Sequence, residues 1–413
     1  MESIGGVEAI TYCFYLLGAV ASRVNHIDDT DETYGYWEPL HYITHNKGMQ
    51  TWEYAPQYAI RSFSFILPLS PLNILCNAMK IHKIELFYII KAVLGIIFAF
   101  ASASYIRALK KAYGPRLALY SALFMLAAPG IFFASTAYLP SAVCMSLFML
   151  SVSSWIQQQF IPAVFYGSLA VIWSGWPFVA LLYVPLGAHM LWYRWMHPSG
   201  NNKTPSFLKR AVSVGTLCLQ GLLVVFVSAI GSLAIDTYMY DKVTFPPLNI
   251  ALYNAFGGTG DELYGVEPAS YYVMNLLLTV GLVSFPLIVI SPLTLLLQPQ
   301  ASNTSQYKST PPALIVLCAP AVLWLAVMFS RPHKEERFLY PIYPVLTTMA
   351  AHTLVCVCDM FESTLSRFLN GATTSVLRRI AILFVFALAI TCGVSRVVAS
   401  RKNYGGDMNL WSQ

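Results

Sequence analysis

Four carboxylates stand within five residues near the start of the chain. They are Asp28, Asp29, Asp31 and Glu32. Like charges this close, beside an apolar segment, push one pKa upward and leave a group that can accept a proton. A carboxylate within reach of an attacking hydroxyl can act as its general base, and Asp31 and Glu32 are the candidates here. A solvated acidic loop with interfacial aromatic residues would give the same pattern, so composition alone leaves both interpretations open.

The residues that follow suit a ligand rich in hydroxyl groups. Aromatic faces stack on sugar rings, while carboxylate, amide and imidazole groups bond hydroxyls. The candidate substrate contacts in this segment are Tyr36, Trp37, Glu38, His41, Gln50, Trp52, Glu53 and Arg61. Asp29-Thr30-Asp31 also spells an Asp-x-Asp pattern, which could hold Mg²⁺ or Mn²⁺ on a diphosphate. Because this pattern is short and no nucleotide-binding domain accompanies it, we predict no metal and no other cofactor.

A second charged segment, residues 331–337, reads RPHKEER between two apolar runs. Its candidate phosphate ligands are Arg331, His333, Lys334 and Arg337. Arginine binds phosphate oxygens bidentately, so a phosphate held at the membrane surface is one suitable partner. An internal ion-pair network, with Glu335 and Glu336 satisfying the basic residues, is the alternative.

A third polar segment, residues 236–270, offers Tyr264 and Glu267 as further substrate contacts. Its Gly-Gly-x-Gly at 257–260 is interpreted as a turn, since no strand precedes it as a nucleotide-binding loop would require.

The rest of the chain is built for lipid. Of its 413 residues, 57% are hydrophobic and only 11% are charged, with a mean hydropathy of +0.58. Soluble domains carry about a quarter charged residues, so a soluble globular class is excluded. The net charge of +6 is scattered over short loops, which indicates no nucleic-acid partner. The eight cysteines lie mostly in apolar stretches without metal-ligand spacing and are predicted to be inert core thiols.

Apolar runs of roughly spanning length predict about eleven transmembrane helices in an all-α polytopic bundle. They lie near 8–23, 84–106, 116–134, 138–157, 160–174, 176–195, 211–235, 271–297, 313–330, 338–358 and 376–396. The run 62–80 contains Pro68 and Pro71 and is predicted to be a re-entrant or juxtamembrane helix. That choice places four basic loops together on the cytosolic side, as the positive-inside rule requires.

This topology places residues 24–83, 236–270 and 331–337 on the opposite, luminal side. The sequons at Asn202 and Asn303 then fall in cytosolic loops, where we predict no glycan. Lys91 lies within a predicted helix, and we expect its amine to extend to the membrane interface.

Seven segments, in order along nearly the whole chain, carry a resemblance to a known family. They are DETYGYWEPLHY (31–42), QTWEYAPQYAIRS (50–62), FFASTAYLPSAVCM (132–145), GWPFVALL (175–182), PPLNIALYN (246–254), LYGVEPASYY (263–272) and HKEERFLYPIYP (333–344). With these segments the sequence resembles the dolichyl-phosphate-mannose-dependent α-1,2-mannosyltransferases of N-glycan precursor assembly, in glycosyltransferase family 22.

The resemblance implies a C-type glycosyltransferase (GT-C) helix bundle in the endoplasmic-reticulum membrane, with a luminal site covered by the first loop. It implies dolichyl phosphate β-mannose as donor and a mannose-bearing oligosaccharide on dolichyl diphosphate as acceptor. It also implies inverting direct displacement, with Asp31 as base, Glu32 as its alternative or helper, and 331–337 on the leaving phosphate.

The resemblance leaves alternatives open. A transferase of the same family acting on glycosylphosphatidylinositol anchors would share the chemistry, and an inactive paralogue serving as a subunit would share the sequence. A transporter or lipid scramblase is disfavoured because no internal repeat is visible. We expect a transmembrane glycosyltransferase domain over 1–400, followed at 401–413 by the start of a truncated luminal region.

Overall fold

The computed structural model describes residues 4–27, 29–198, 206–256, 265–297 and 312–404. In this part of the chain the regular structure is helical. The first nine helices are α1 (Ile4–Val24), α2 (Glu38–His45), α3 (Phe63–Ile66), α4 (Ser70–Ala78), α5 (Lys83–Tyr113), α6 (Pro115–Ala127), α7 (Pro129–Ala134), α8 (Pro140–Ile156) and α9 (Phe160–Ser168). The remaining helices are α10 (Ala180–Met196), α11 (Phe207–Tyr240), α12 (Pro246–Phe256), α13 (Ala269–Thr279), α14 (Ser284–Leu297), α15 (Leu314–Ser330), α16 (Tyr343–Leu365) and α17 (Gly371–Tyr404).

By length and apolar composition, four helical stretches in these ranges can cross a membrane, or five if one bent pair counts as a span. They are Lys83–Tyr113, Phe207–Tyr240, Glu336–Leu365 and Gly371–Asn403, with α13–α14 as the bent pair. Six shorter apolar helical stretches accompany them, each below the eighteen residues of that criterion. The chain is a multi-pass membrane protein, and the predicted total of about eleven spans stays a prediction.

The core lies around the stretch Glu336–Leu365, which contains α16 and whose most apolar part is 94% buried, whereas that of α11 is only 11% buried. A helix with so little of its apolar surface covered by protein suits contact with lipid. At the edge of the bundle α1 packs along α5 through two glycines. A Cβ on Gly18 would lie 2.7 Å from the Gly95 carbonyl oxygen, so the two backbones touch where neither residue has a side chain.

Two apolar runs differ from a simple span. The predicted single helix 271–297 is wrong: α13 and α14 meet at 109°. Gly281 between them has φ +95°, a left-handed conformation that ends a helix, and Pro286 follows in the first turn of α14. The run 62–80 folds as α3, a 3₁₀ turn and α4, with Pro68 and Pro71 at the breaks. The run is therefore an interrupted apolar helix, and its re-entrant or juxtamembrane position stays a prediction.

The position of the Lys91 side chain differs from the prediction that its amine extends to the membrane interface. Its side chain is fully buried and does not extend to the interface. Its amine donates to the Asn25 carbonyl at 2.9 Å and lies 5.0 Å from the centre of the Phe87 ring. Lys91 therefore fixes the turn between α1 and the acidic segment from inside the protein.

The cysteine prediction holds in part. All eight thiols are free, and five of them are buried. Cys13 and Cys218 instead lie exposed on the outer faces of α1 and α11. Since these helices are apolar, the two thiols contribute to the outer surface of the bundle and not to its core.

Candidate functional site

The acidic segment begins directly after α1 and enters a π-helical stretch, Glu32–Trp37. Glu32 is buried, and its carboxylate accepts the Tyr138 backbone N–H at 2.8 Å. The Trp37 indole N–H approaches the same oxygen at 3.5 Å. Glu32 thereby joins the segment to the N-terminal end of α8. A carboxylate committed to a backbone donor inside the protein fits a positioning role better than that of an alternative base.

Two arginines gather the acidic residues into one group. The Arg61 guanidinium contacts Asp31 at 2.9 Å and Glu53 at 2.8 Å. Arg337, which follows α15 in the chain, contacts Asp31 at 2.7 Å and Asp29 at 3.3 Å, and it also pairs with Glu335. We call these six residues the carboxylate–arginine cluster. It joins the first polar loop to the 331–337 loop across 306 positions of sequence.

The two aspartates of the cluster differ in electrostatics. Burial raises the pKa of Asp29, and the nearby charges of Asp31 and Glu335 add to this against Arg337. Burial also opposes ionisation of Asp31, but the guanidinium groups of Arg61 and Arg337 outweigh it and lower its pKa to about 2. Asp31 is therefore an ionised carboxylate at neutral pH. Among the described residues of the acidic segment, Asp29 is an acid with a raised pKa.

The aspartates differ in hydrogen bonding too. Both arginines donate to Oδ2 of Asp31, and no described contact uses its Oδ1. Asp29 engages both of its oxygens, since Oδ1 accepts the Asp31 backbone N–H at 2.8 Å and Oδ2 faces Arg337. The Asp31 side chain is 30% exposed. Asp31 is thus held by one oxygen and presents the other outward, whereas Asp29 is occupied in holding Asp31 and Arg337.

Several predicted substrate contacts lie in or against this cluster. Glu53 and Arg61 are members, and Arg61 also donates to the buried Tyr36 hydroxyl. Burial raises the pKa of Tyr36 to about 12, so the hydroxyl is protonated at neutral pH. Trp37 packs against Phe87, with ring centres 4.8 Å apart. Trp37 is thus half-buried against the wall of the site, and its contact with a substrate stays a prediction.

Other predicted contacts lie apart from the cluster. Glu38 accepts the Met49 backbone N–H at 3.0 Å, and the His41 ring nitrogen lies 3.0 Å from the Lys83 amine. Gln50 is half-buried. Trp52 is 43% exposed and, with Tyr58 and Tyr253, forms an exposed aromatic group at ring separations of 5.1 and 5.9 Å. The candidates therefore divide into the cluster, a contact region around Glu38 and His41, and this aromatic group.

A cavity of about 510 Å³ opens beside that aromatic group. Polar and aromatic residues form part of its lining, namely Gln57, Tyr58, Lys242, Asn249 and Tyr253. Ile60, the residue before Arg61, lies in its wall. A volume of this size is typical of small-molecule sites, and its aromatic and amide lining suits a neutral polyhydroxyl ligand.

The 331–337 loop uses its basic residues in different ways. Arg331 is exposed, and His333 lies between the Gly265 carbonyl, at 3.0 Å, and Glu335, at 3.1 Å. The Lys334 amine is buried and donates to the carbonyls of Glu267, Arg331 and Pro332. Lys334 therefore donates to backbone carbonyls of this loop and of the Glu267 segment, and its role as a phosphate ligand stays a prediction.

The same contacts settle how the loop is held and which ion pairs form. The Glu267 backbone N–H donates to the Pro332 carbonyl at 3.0 Å, so the Glu267 backbone joins its segment to the loop, and its side chain is exposed. The alternative interpretation of this loop was an internal ion-pair network. Arg337 does pair with Glu335 of the same loop, but it also pairs with Asp31 of the first loop. Tyr264 lies outside the described residues.

Sequence reasoning missed two members of the cluster as site residues, Asp29 and Glu335. The position of Asp29, two residues before Asp31, marks it as a candidate, but no local sequence pattern shows which of the carboxylates come together in the folded chain.

Within the described ranges no group of three or more His, Cys, Asp or Glu side chains is arranged to hold a metal ion. The absence of a metal stays a prediction.

Comparison with known proteins adds the family to this geometry. The sequence pattern of the Alg9-like mannosyltransferase family matches residues 9–412. Alpha-1,2-mannosyltransferase ALG9 of Homo sapiens is 31% identical over 97% of this chain and 62% of that protein. Alg9 of Drosophila melanogaster is 33% identical over 93% of this chain and 59% of that protein. The chain thus spans about three fifths of the length of these relatives.

Solved structures show the fold. ArnT from Cupriavidus metallidurans, in a complex with undecaprenyl phosphate, superposes with a TM-score of 0.61 at 12% identity. The match covers 96% of this chain and 77% of that one. The oligosaccharyltransferase of Archaeoglobus fulgidus superposes with a TM-score of 0.50 at 10% identity, over 94% of this chain and 55% of that one. The predicted GT-C helix bundle is confirmed, and with the match over residues 9–412 this chain belongs to the Alg9-like mannosyltransferase family.

Proposed function

We propose that this chain transfers mannose in α-1,2 linkage from dolichyl phosphate β-mannose to a mannose-bearing oligosaccharide on dolichyl diphosphate. The family and the GT-C fold supply the class of reaction. The observation that carries the proposal to this chain is Asp31, an ionised carboxylate with one oxygen held by Arg61 and Arg337 and the other open.

The reaction is a single displacement with inversion. The 2-hydroxyl oxygen of the acceptor mannose attacks the anomeric carbon of the donor while the bond from that carbon to the phosphate oxygen breaks. The hydroxyl proton passes to Oδ1 of Asp31, and dolichyl phosphate leaves with the electron pair. Because Asp31 is a weak base in the resting cluster, the proton moves late, when bonding to carbon has already made the hydroxyl strongly acidic.

The leaving phosphate needs positive charge within reach. Arg337 uses its Nε and one terminal nitrogen in the described contacts, and a guanidinium carries a second terminal nitrogen for a phosphate oxygen. His333 and Arg331 lie on the same loop and are the next candidates. Lys334 contributes by holding that loop to the segment of Glu267. Electrostatic stabilisation of the leaving group in this way needs no metal in principle.

We assign the acceptor oligosaccharide to the cavity beside the exposed aromatic group. Stacking of sugars on Tyr58 and Tyr253 of its lining, and on the neighbouring Trp52, would extend the acceptor toward Arg61 and Asp31, because Ile60 in the cavity wall directly precedes Arg61. ArnT, the structural neighbour, binds undecaprenyl phosphate, a polyprenyl phosphate of the same chemical class as the proposed leaving group. The proposed location is the endoplasmic-reticulum membrane, with the cluster facing the lumen.

The test is mannose transfer by the purified full chain in detergent, given dolichyl phosphate mannose and synthetic lipid-linked acceptors, with EDTA in half of the samples. A new α-1,2 linkage formed equally with and without EDTA is the expected result. Transfer that disappears with EDTA and returns with Mn²⁺ would refute the metal-free mechanism. Transfer only to a glycosylphosphatidylinositol acceptor would assign the chain to that branch, and no transfer beside an active full-length relative would refute the activity.

A further inference from the structure

Arg61 owes its position to residues outside the first loop. Its backbone carbonyl accepts the Tyr240 hydroxyl at 2.6 Å. Two residues before it, the Ala59 carbonyl accepts the Asn249 side-chain amide at 3.0 Å. Two residues after it, the Phe63 backbone N–H donates to Asp236 at 2.7 Å. Side chains from α11 and α12 therefore bind the backbone at Arg61 and on both sides of it.

Of these three side chains, Asp236 makes the most hydrogen bonds. It is fully buried, and besides Phe63 it accepts the hydroxyls of Ser62 at 2.7 Å and Ser232 at 3.2 Å. A carboxylate buried in a membrane protein is costly, and it is tolerated where it does specific work. By accepting the Phe63 N–H, Asp236 satisfies the first backbone donor of α3 from another helix, while Ser62 caps α3 locally by accepting the Ser64 N–H.

The segment from Ala59 to Phe63 combines local and distant contacts, since the N–H groups of Ala59 and Ile60 donate to the nearby carbonyls of Ala55 and Glu53. Ala59 has φ +42°, a left-handed conformation that a residue with a Cβ adopts only when its surroundings enforce it. Ser62 packs against Gly175, where a Cβ would stand 3.1 Å from the Ser62 Cβ. The Tyr240 ring also packs on Phe63, with centres 4.9 Å apart. The backbone that carries Arg61 is fixed at several atoms by partners distant in sequence.

We infer that Asp236, Tyr240 and Asn249 form a clamp that positions Arg61 and, through Arg61, Asp31. This inference rests on the proposed function, since Asp31 matters only if it acts in transfer. Tyr240 and Asp236 stand four residues apart on one face of α11, so a single helix end sets both the Arg61 carbonyl and the start of α3. None of the three touches the proposed reacting atoms, and each acts on the position of one guanidinium.

Two variants of Asp236 distinguish a positioning role from a requirement for its negative charge. Asp236→Asn keeps an oxygen for the Phe63 N–H and gains an amide for Ser62, so we expect transfer within about threefold of wild type. Asp236→Ala removes both contacts, and we expect kcat to fall by about tenfold to a hundredfold, since a displacement of an ångström costs on that order. KM for donor and acceptor should change by less than about twofold. Equal loss of activity in Asp236→Asn and Asp236→Ala would show that the charge itself is needed and would overturn the clamp.

The Tyr240→Phe variant tests the route through Arg61. We expect it to lower kcat about tenfold in the wild type and to have no further effect on an Arg61→Lys chain, because the clamp can act only on what it positions. Independent, multiplying losses would refute the inference. Tyr113→Phe is the matched control. It removes a buried hydroxyl that donates to the Pro312 carbonyl at 2.9 Å, at the C-terminal end of α5 and outside the clamp. It should keep full activity.

Hydrogen–deuterium exchange reads the clamp without any substrate. The peptide containing Phe63 should exchange faster in Asp236→Ala and Tyr240→Phe than in wild type, Asp236→Asn or Tyr113→Phe. Unchanged exchange in Asp236→Ala would overturn the clamp even if activity fell. A wild-type chain that transfers no mannose while these exchange differences appear would refute the proposed function and leave the clamp standing as a positioning device.

Discussion

Replacing Asp31 by asparagine separates the chemistry of the cluster from its contribution to stability. The substitution keeps the shape of the side chain and an oxygen for the two guanidinium groups, but it removes the negative charge and the proton acceptor. Loss of a general base costs about a hundredfold to ten-thousandfold in rate. We therefore expect kcat for mannose transfer to fall by at least about a hundredfold, with little change in KM for the donor.

The structural cost of the same substitution is smaller and can be bounded. The pKa of Asp31 falls from 3.8 to about 2 on folding, and each unit corresponds to about 1.4 kcal/mol, so the ionised form contributes about 2.5 kcal/mol at most. The 30% exposure of the side chain lowers this further through solvent screening. Because the folded pKa is depressed, this contribution is present above pH 3.8 and is lost as pH falls toward 2.

The assay is transfer measured beside the unfolding temperature in the same detergent. At pH 7 Asp31→Asn should unfold a few degrees earlier than wild type, and this gap should narrow below pH 4. Asp359→Asn is the matched control, since it breaks an aspartate–arginine pair with Arg116 near the C-terminal end of α16. It should retain full transfer. An Asp31→Asn chain with more than a tenth of wild-type kcat would refute Asp31 as base, and an inactive Asp29→Asn chain beside it would move that role to Asp29.

Three further outcomes follow from the same structure. Arg337→Lys should lower kcat about a hundredfold, because a single ammonium cannot bridge Asp29, Asp31 and Glu335 as a guanidinium does. Arg378→Lys is the control: Arg378 pairs with Glu362 outside the cluster, and this variant should keep the kcat of the wild type. Lys91→Met should lower the unfolding free energy by about 1–3 kcal/mol, seen as an earlier thermal transition, because the Asn25 carbonyl loses its buried donor. Endoglycosidase treatment of protein from a eukaryotic host should not change its electrophoretic mobility, since Asn202 and Asn303 are predicted to face the cytosol; a shift removed by Asn303→Gln would reverse that topology.

The general form of the molecule could be predicted because lipid imposes strong and local constraints. Apolar runs of spanning length and the sparseness of charge indicate a helical bundle, since only helices satisfy their own backbone within hydrocarbon. The bend at Gly281 was missed because a single glycine between apolar residues does not interrupt the hydropathy pattern. Lys91 was misplaced for a related reason: sequence does not show that two carbonyls at the end of α1 lie within reach of its amine.

The residue types of the site could be predicted from the sequence, but the contacts between them could not. Residues 31–61 and 331–337 were marked by charge in an otherwise apolar chain, and Asp31, Arg61 and Arg337 do meet. Their meeting is a long-range event that no local pattern encodes. The same holds for Asp236, which lies at the end of an apolar helix and whose partners Ser62 and Phe63 are small or apolar residues without a signature of their own.

The arrangement of charge in the cluster explains why so polar a site can be stable in this setting. Asp29, Asp31, Glu53 and Glu335 surround only two guanidinium groups, so the carboxylates would repel one another if either arginine moved away. One arginine belongs to the first loop and the other to a loop some 300 residues later, and each is needed to hold Asp31. The proposed base is therefore assembled only when both loops are in place. Fixing Arg61 through α11 and Arg337 through its own loop makes the orientation of Asp31 a property of the folded bundle, present before substrate arrives.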